Sequence, residues 1–265
     1  MYIGIDVGGT NVKIGAFDDL KDPKLVSFDK FDVNNDYKLD LRNILHNIDK
    51  IATDELKGIG IGIPGTLDDD NKEIVDCPNL LDWNGKKIVR DVERAIGCLV
   101  KAENDTTLAA LGEADFGLGK NQDFIFIIWG TGIGGTEIKQ FDNRRLVFRF
   151  EPGHQIVGGG RQLEMVAGGS GIVTSFGKNP ADLDEESWNT ILPAFAQGIT
   201  NILVIRPTKL VIFGGGIALN KPDKVDRIRA LVKDYLTIYP VPKFRLSGLG
   251  EKVALFGALT LFSGE

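Results

Sequence analysis

Residues 1–19, MYIGIDVGGTNVKIGAFDD, and residues 126–143, FIIWGTGIGGTEIKQFDN, carry one pattern twice. Each reads as a short apolar strand, a tight glycine-rich turn with a threonine at its end, a second strand and an aspartate. When Gly8, Gly9, Thr10 and Lys13 are laid on Gly134, Gly135, Thr136 and Lys139, Phe141 and Asp142 come early relative to Phe17 and Asp18, so the repeat is a motif match and not a strict alignment. Glycine reaches positive φ without a steric penalty and lets backbone N–H groups close on a ligand, for which phosphate oxygens are natural guests. One such hairpin can be a turn and nothing more. Two of them predict related halves facing one cleft, with Asp6 at the end of the first strand placed to hold a hydrated magnesium ion against phosphates and Thr10 adding a hydroxyl.

At 265 residues, 43% hydrophobic and 26% charged, the chain has the length and composition of two globular domains, each with its own core. A net charge of −6 argues against nucleic acid, which needs clustered Lys and Arg. The N-terminus enters a strand at once, with no basic leader, and no apolar run reaches about 18 residues, so no membrane partner and a cytoplasmic location are expected. Cys77 and Cys98 stand apart from any C-x-x-C pair, which fits a reducing compartment and two small buried apolar side chains.

Hydrophobic period places strands at 2–7, 11–17 and 24–31, a helix over 37–54, a strand at KGIGIGIPG, a loop at CPNLLDW, a helix at KKIVRDVERAIG and a strand at CLVKAE. This βββαβαβ order predicts a mixed sheet with helices on its faces. A helix from Asp105 follows, and DFIFIIWGTGIGGTEIKQF restarts the strand pair. Further helices are expected at GRQLEMVAG, EESWNTILPAFAQGITNILVIR and KVDRIRALVKDYLTIY, strands at KLVIFGG and KFRLS, and a closing apolar helix at EKVALFGALTLF. The expected division is a smaller first domain over 1–110, with the C-terminal helix of about 251–265 packing back on it, and a larger second domain over 111–250, joined by a packed hinge near 105–118.

Several motifs fail on inspection. Gly119-Lys120-Asn121 and Gly177-Lys178-Asn179 lack the Ser or Thr of a Walker A loop, and the glycines after Asp6 run into a strand where a dinucleotide fingerprint needs a helix. The run Asp68, Asp69, Asp70, Asn71 lacks the Gly and Glu of an EF-hand and reads as a solvated hairpin turn. Gly214, Gly215 and Gly216 end an apolar strand before a helix, a tight turn that also qualifies as a surface for an adenosine or other donor group. Asn104 and Asp105 sit where a strand hands over to a helix; there Asn can be an N-cap, while a carboxylate facing a cleft can be a general base for a sugar hydroxyl.

In sum, IDVGGTNVKIGAFD, GIGIPGTLD, CPNLLDW, ENDTTLAALGE, GTGIGG, EPGH with the later Glu164, and FGGG, in that order across nearly the whole chain, resemble the ROK family of repressors and sugar kinases. The resemblance implies a two-domain α/β fold of the actin-like (ribonuclease H-like) ATPase kind, each domain a mixed sheet flanked by helices with a cleft between them. It implies transfer of the terminal phosphoryl group of ATP to a hexose with magnesium, the glucose 6-hydroxyl foremost. Asp105 would take the proton from the attacking hydroxyl; Asn104, Glu151, His154 and Glu164 would bind the other hydroxyls, with Asn79 as helper. Asp6, Gly8, Gly9, Thr10 and Lys13 would manage metal and phosphate, and Gly130, Thr131, Gly132 and Gly134, with Gly214, Gly215 and Gly216, would close from the donor side. A homodimer is also implied. These residue types suit the work, since carboxylates accept from hydroxyls, Asn does both and neutral His does either.

Two departures carry information. Many members place zinc on the His and three Cys of a CxCGxxGCxE string, but GHQIVGGGRQLEMVAGG has no Cys, so no zinc is expected and His154 reads as a sugar contact or structural imidazole. RLVFRF replaces the usual glycine-rich approach to EPGH. The short cysteine-free loop and the ending PKFRLSGLGEKVALFGALTLF are more similar to the polyphosphate glucokinase branch, which keeps polyphosphate open as a donor. Family repressors carry an N-terminal DNA-binding segment, whereas here the hairpin starts at once, so repression is disfavoured. The rival readings are a sugar sensor of the same fold without turnover and an actin-like nucleotide hydrolase. Glucose, mannose, fructose and N-acetylated hexosamines all stay open.

Overall fold

The computed structural model describes residues 1–70, 72–142 and 144–263. The chain forms two compact units, Met1–Phe116 with the segment from Lys252 onward, and Gly117–Glu251. In the first unit the elements are β1 (Tyr2–Val7), β2 (Asn11–Phe17), β3 (Leu25–Asp32), α1 (Tyr37–Ile51), β4 (Gly58–Ile63), the short pair β5 (Thr66–Leu67) and β6 (Ile74–Asp76), α2 (Ile88–Ile96), β7 (Val100–Asn104) and α3 (Asp105–Phe116). The second unit holds β8 (Phe124–Trp129), β9 (Ile133–Phe141), β10 (Arg144–Phe150), β11 (Ile156–Val157), β12 (Arg161–Gln162), α4 (Leu163–Ala167), α5 (Gly169–Phe176), α6 (Glu185–Ile205), β13 (Leu210–Gly214), α7 (Gly216–Asn220), α8 (Pro222–Tyr235) and β14 (Lys243–Leu246). The last helix, α9 (Val253–Leu259), belongs to the first.

Both main sheets are wound alike: β3-β2-β1-β4-β7 in the first unit and β10-β9-β8-β13-β14 in the second. In each, an antiparallel meander of three strands is extended by two parallel strands reached through helical crossovers. The duplication in the sequence is therefore a duplication of topology.

Strand β4, GIGIGI, explains how the first unit is layered. Period-two alternation sends Ile59, Ile61 and Ile63 into a core with Ile3, Ile5, Ile14, Ile44 and Trp83, each fully buried aliphatic side chain contributing about 2 kcal/mol. The glycines line the opposite face, where helices lie against bare backbone. A Cβ on Gly60 would stand 2.5 Å from the Ala258 carbonyl, and one on Gly4 of β1 2.5 Å from that of Leu255. Between the helices themselves, Gly257 of α9 meets the Leu108 carbonyl of α3 and Gly112 meets that of Val253. This contact is why the C-terminal helix and the whole of α3 belong to the first unit, so that the division falls at Phe116/Gly117 and not at the expected residue 110.

The second core gathers Trp129, Trp188, Phe195, Phe213 and Ile125 between its sheet and α6. Trp129 and Phe195 lie with ring centroids 4.4 Å apart. Helix α6 starts at Asp184, whose carboxylate accepts from the Ser187 N–H at 2.8 Å. Helix α2 ends at Gly97 with φ +79°.

Two further expectations change, on the second hairpin and on GRQLEMVAG. The second hairpin turns at Gly130–Gly132, while Gly134, Gly135 and Thr136 lie inside β9; a Cβ on Gly135 would stand 2.6 Å from the Phe150 ring, so this glycine serves packing and not turning. RLVFRF forms the edge strand β10. GRQLEMVAG is helical only over Leu163–Ala167, after a small hairpin of β11 and β12. Helix α5 was not foreseen. In the acidic turn, Asp68 accepts from the Lys72 and Glu73 N–H groups, and Asn71 lies outside the described residues. Among the described residues no helix is long and apolar enough to cross a membrane.

Gly257→Ala tests this packing. A helix interior normally gains about 1 kcal/mol from that change, but here the new Cβ would stand 1.8 Å from the Leu108 carbonyl oxygen. Denaturant unfolding should show a loss of about 3 kcal/mol, and a gain in stability would contradict the close helix contact.

Candidate active site

The carboxyl ends of β1, β4 and β7 lie side by side in the first unit. Asp6 is in register with Gly62 of β4, which is in register with Glu103 of β7. Because Asp6 alternates with Ile5 and Val7, it faces the glycine side of the sheet, as Gly62 does. An ideal Cβ on Gly62 would lie 3.4 Å from the Asp105 Cα. Asp6 and Asp105 are thus on one face at one end of the sheet, either side of Gly62.

Each has a defined surrounding. Asp6 is 9% exposed, and its Oδ2 accepts from Lys13 Nζ at 2.8 Å across the β1–β2 ladder, where the two residues are direct partners. The turn Gly8–Thr10 lies just beyond, closed by the Gly8 N–H on the Asn11 carbonyl at 3.0 Å and by the Val33 N–H on the Thr10 carbonyl at 3.1 Å. Asp105 opens α3 and is half-buried; its Oδ1 accepts from the Thr106 N–H at 2.7 Å, which fixes the carboxylate on the first helical turn.

Asn104, 4% exposed, is the N-cap: its Oδ1 accepts from the Thr107 N–H and its Nδ2 donates to the Gly65 carbonyl, both at 3.1 Å. Those bonds commit most of its amide to the fold. Asn79 is exposed in the turn that follows Cys77. The Cys77 thiol itself is fully buried and donates to the Pro64 carbonyl at 2.9 Å. Burial, with the nearby Asp105 and Asp76 carboxylates, pushes that thiol up to about 12, so it remains a donor near neutral pH.

In the second unit a different set converges. The turn Gly130–Gly132 is held by its carbonyls, as the Gly169 N–H donates to Gly130 at 2.8 Å and the Ser170 N–H to Thr131 at 3.0 Å. Helix α5 therefore spends its first amides on the turn. Gly215, at φ +88°, runs so close to β8 that a Cβ would stand 2.5 Å from the Trp129 carbonyl, and Gly216 lies beside Gly130. Gly214 is buried at the end of β13. The two glycine segments expected to serve the donor thus form one backbone surface.

Glu164, on α4, stands with Oε1 4.0 Å from His154 Nε2 and Oε2 3.4 Å from the Ile133 N–H. Gly153 and Gly132 leave room for this carboxylate, since a Cβ on either would stand 2.7 Å and 3.1 Å from its Oε2. Glu151 is turned to Arg149 instead, accepting from its Nε at 3.0 Å. Among the described residues no group of three or more His, Cys, Asp or Glu side chains could hold a metal ion. Sequence reasoning missed Arg149, the Cys77 bond and the role of the run Gly168-Gly169-Ser170, whose glycines were a visible signal.

The ROK family model matches residues 2–144 of the chain. A glucokinase of Thermotoga maritima is 35% identical over 136 residues, covering 50% of this chain and 43% of that protein. An N-acetyl-D-glucosamine kinase of Vibrio atlanticus is 36% identical over 153 residues, covering 56% and 50%. The matched segment thus spans about half the length of these curated relatives. A ROK family glucokinase from Streptomyces griseus, solved in complex with glucose and AMPPNP, superposes with a TM-score of 0.77 at 25% identity and 98% coverage of both chains. The fold is the two-domain actin-like α/β fold of such kinases.

The glycine pair at the end of β13 separates close approach from mere flexibility. Gly215→Ala meets both positive φ and the Trp129 backbone and should lower the denaturant midpoint by the equivalent of about 3 kcal/mol, whereas Gly216→Ala, with nothing within 4 Å of its new Cβ, should be neutral or stabilising. Equal effects at the two positions would refute the assigned contact.

Proposed function

The chain belongs to the ROK family, and from that membership we propose that it transfers the terminal phosphoryl group of ATP, or of polyphosphate, to a hexose hydroxyl, the glucose 6-hydroxyl foremost. The observation that carries this reading is the pair of carboxylates, Asp105 and Asp6, on one face at one end of the first sheet, beside the Gly8–Thr10 turn. Asp105 is the general base. Its carboxylate accepts the proton of the sugar hydroxyl as that oxygen attacks the terminal phosphorus, and the bond to the leaving phosphate oxygen breaks.

Phosphoryl transfer asks mainly for alignment and charge neutralisation. Asp6 fits a magnesium ion held through water, because this hard cation keeps most of its waters and needs only one or two carboxylates beside the donor's own oxygens. Bound there, magnesium would neutralise the developing phosphate charge. Lys13, already on Asp6 at 2.8 Å, holds that carboxylate in place and adds a positive charge next to the turn. The backbone surface made by Gly130–Gly132 and Gly215–Gly216 serves the donor.

On the sugar side, Glu164 accepts from hydroxyls while His154 donates or accepts, with Glu151 and Asn79 as further contacts. Asn104 keeps one amide hydrogen for a hydroxyl beside the one it gives to the Gly65 carbonyl. The strand β10, which brings RLVFRF directly up to Glu151 and pairs Arg149 with it, is the observation behind a second reading, a sugar-binding protein without turnover.

Asp105→Ala should leave hexose binding by calorimetry within a few-fold of the parent and lower kcat by about 10³ with the productive donor. Undiminished turnover would remove Asp105 from its role. Calorimetric binding by the parent protein, with no product from any donor, would establish the sensor in place of the kinase.

A further inference from the structure

The Pro64-Gly65 turn after β4 is gripped from two sides. Cys77 Sγ donates to the Pro64 carbonyl at 2.9 Å, and Asn104 Nδ2 donates to the next carbonyl, that of Gly65, at 3.1 Å. Gly65 has φ +151°, and a Cβ there would stand 2.1 Å from the Asp76 carbonyl oxygen, so the turn runs directly against the backbone that carries Cys77. That backbone is itself pinned, because the Cys77 N–H donates to Asn84 Oδ1 at 2.7 Å. The other end of the Asn104 amide accepts from the Thr107 N–H and sets the first turn of α3, on which Asp105 sits.

We propose that Cys77 is a positioning residue for the phosphoryl transfer: its thiol, by donating to the Pro64 carbonyl, holds the Pro64-Gly65 turn against the Asn104 amide and thereby sets the place of the Asp105 carboxylate. This rests on Asp105 as the base. The chain of contacts is short and lies wholly in the first unit: thiol to Pro64, peptide to Gly65, carbonyl to Asn104, amide to the helix that Asp105 opens. An S–H group is a weak donor, but Cys77 is fully buried and its thiol reaches the Pro64 oxygen from the Asp76–Cys77 side. Catalysis magnifies small displacements, since about 1 Å of misplacement costs on the order of 10² in rate.

The experiment compares the parent protein with Cys77→Val, which stays apolar, adds one heavy atom and removes the donor, and Cys77→Ser, which restores one. Two quantities are read: hydrogen exchange of the Thr107 amide, and kcat separately from KM for the phosphorylated hexose. In the Val variant exchange should quicken about tenfold and kcat fall about tenfold, with the donor KM within about twofold; the Ser variant should recover most of both. Parent-like exchange and kcat in the Val variant would overturn the proposal, as would a Ser variant no better than Val. Should Cys77→Val not fold, Cys77→Ala carries the same comparison with the same two outcomes. If the parent phosphorylates no hexose, the reading of Asp105 falls, while Thr107 exchange still decides whether Cys77 holds the turn.

Discussion

The side-chain amide of Asn104 is engaged at both ends inside the fold, its oxygen on the Thr107 N–H and its nitrogen on the Gly65 carbonyl. An N-cap of this kind is worth about 1 kcal/mol, but its larger effect is geometric. It ties the last residue of β7 to the first turn of α3 and to the turn after β4, so three elements meet at one planar group. Either partner left without it would be a buried polar group lacking its bond, at a cost of about 1–3 kcal/mol. The position of Asp105 follows from this junction, and the proposed chemistry follows from the position of Asp105.

The second constraint is the division of labour between the faces of the first sheet. Isoleucines on one face build the core, and glycines on the other admit α3 and α9 to the backbone itself. Asp6 interrupts that glycine face at its carboxyl end, 9% exposed and bonded to Lys13. A sheet that packs helices against bare glycine can place a carboxylate at its rim without burying a large side chain beside it. The second unit has the same strand order and its own glycine turn, yet the polar pair it offers, Glu164 with His154, lies on the segment after β10 and not at a strand end. The likeness is in the winding; the chemistry has diverged.

Much of this was legible. The repeated hairpins, the alternation in GIGIGI and the apolar ending pointed to mixed sheets with helices and to a terminal helix that returns to the first unit. The order of ENDTTLAALGE and EPGH pointed to the ROK family. What could not be read was which glycine does what. Gly130–Gly132 turns and Gly135 makes room for Phe150, but both appear in the sequence as a bare letter in a glycine-rich run, and only the three-dimensional neighbour separates them. The same holds for Cys77, Arg149 and α5, whose partners lie outside the local pattern. Of the two sequence readings of Asn104, the cap is the one present in the fold.

The most direct test of the central claim is phosphorus NMR of the parent protein with magnesium, crossing glucose, mannose, fructose and N-acetylglucosamine with ATP and polyphosphate. The account expects a sugar phosphate to appear with at least one pair and donor consumption to require the sugar. Donor hydrolysis at the same rate with no sugar present would contradict it.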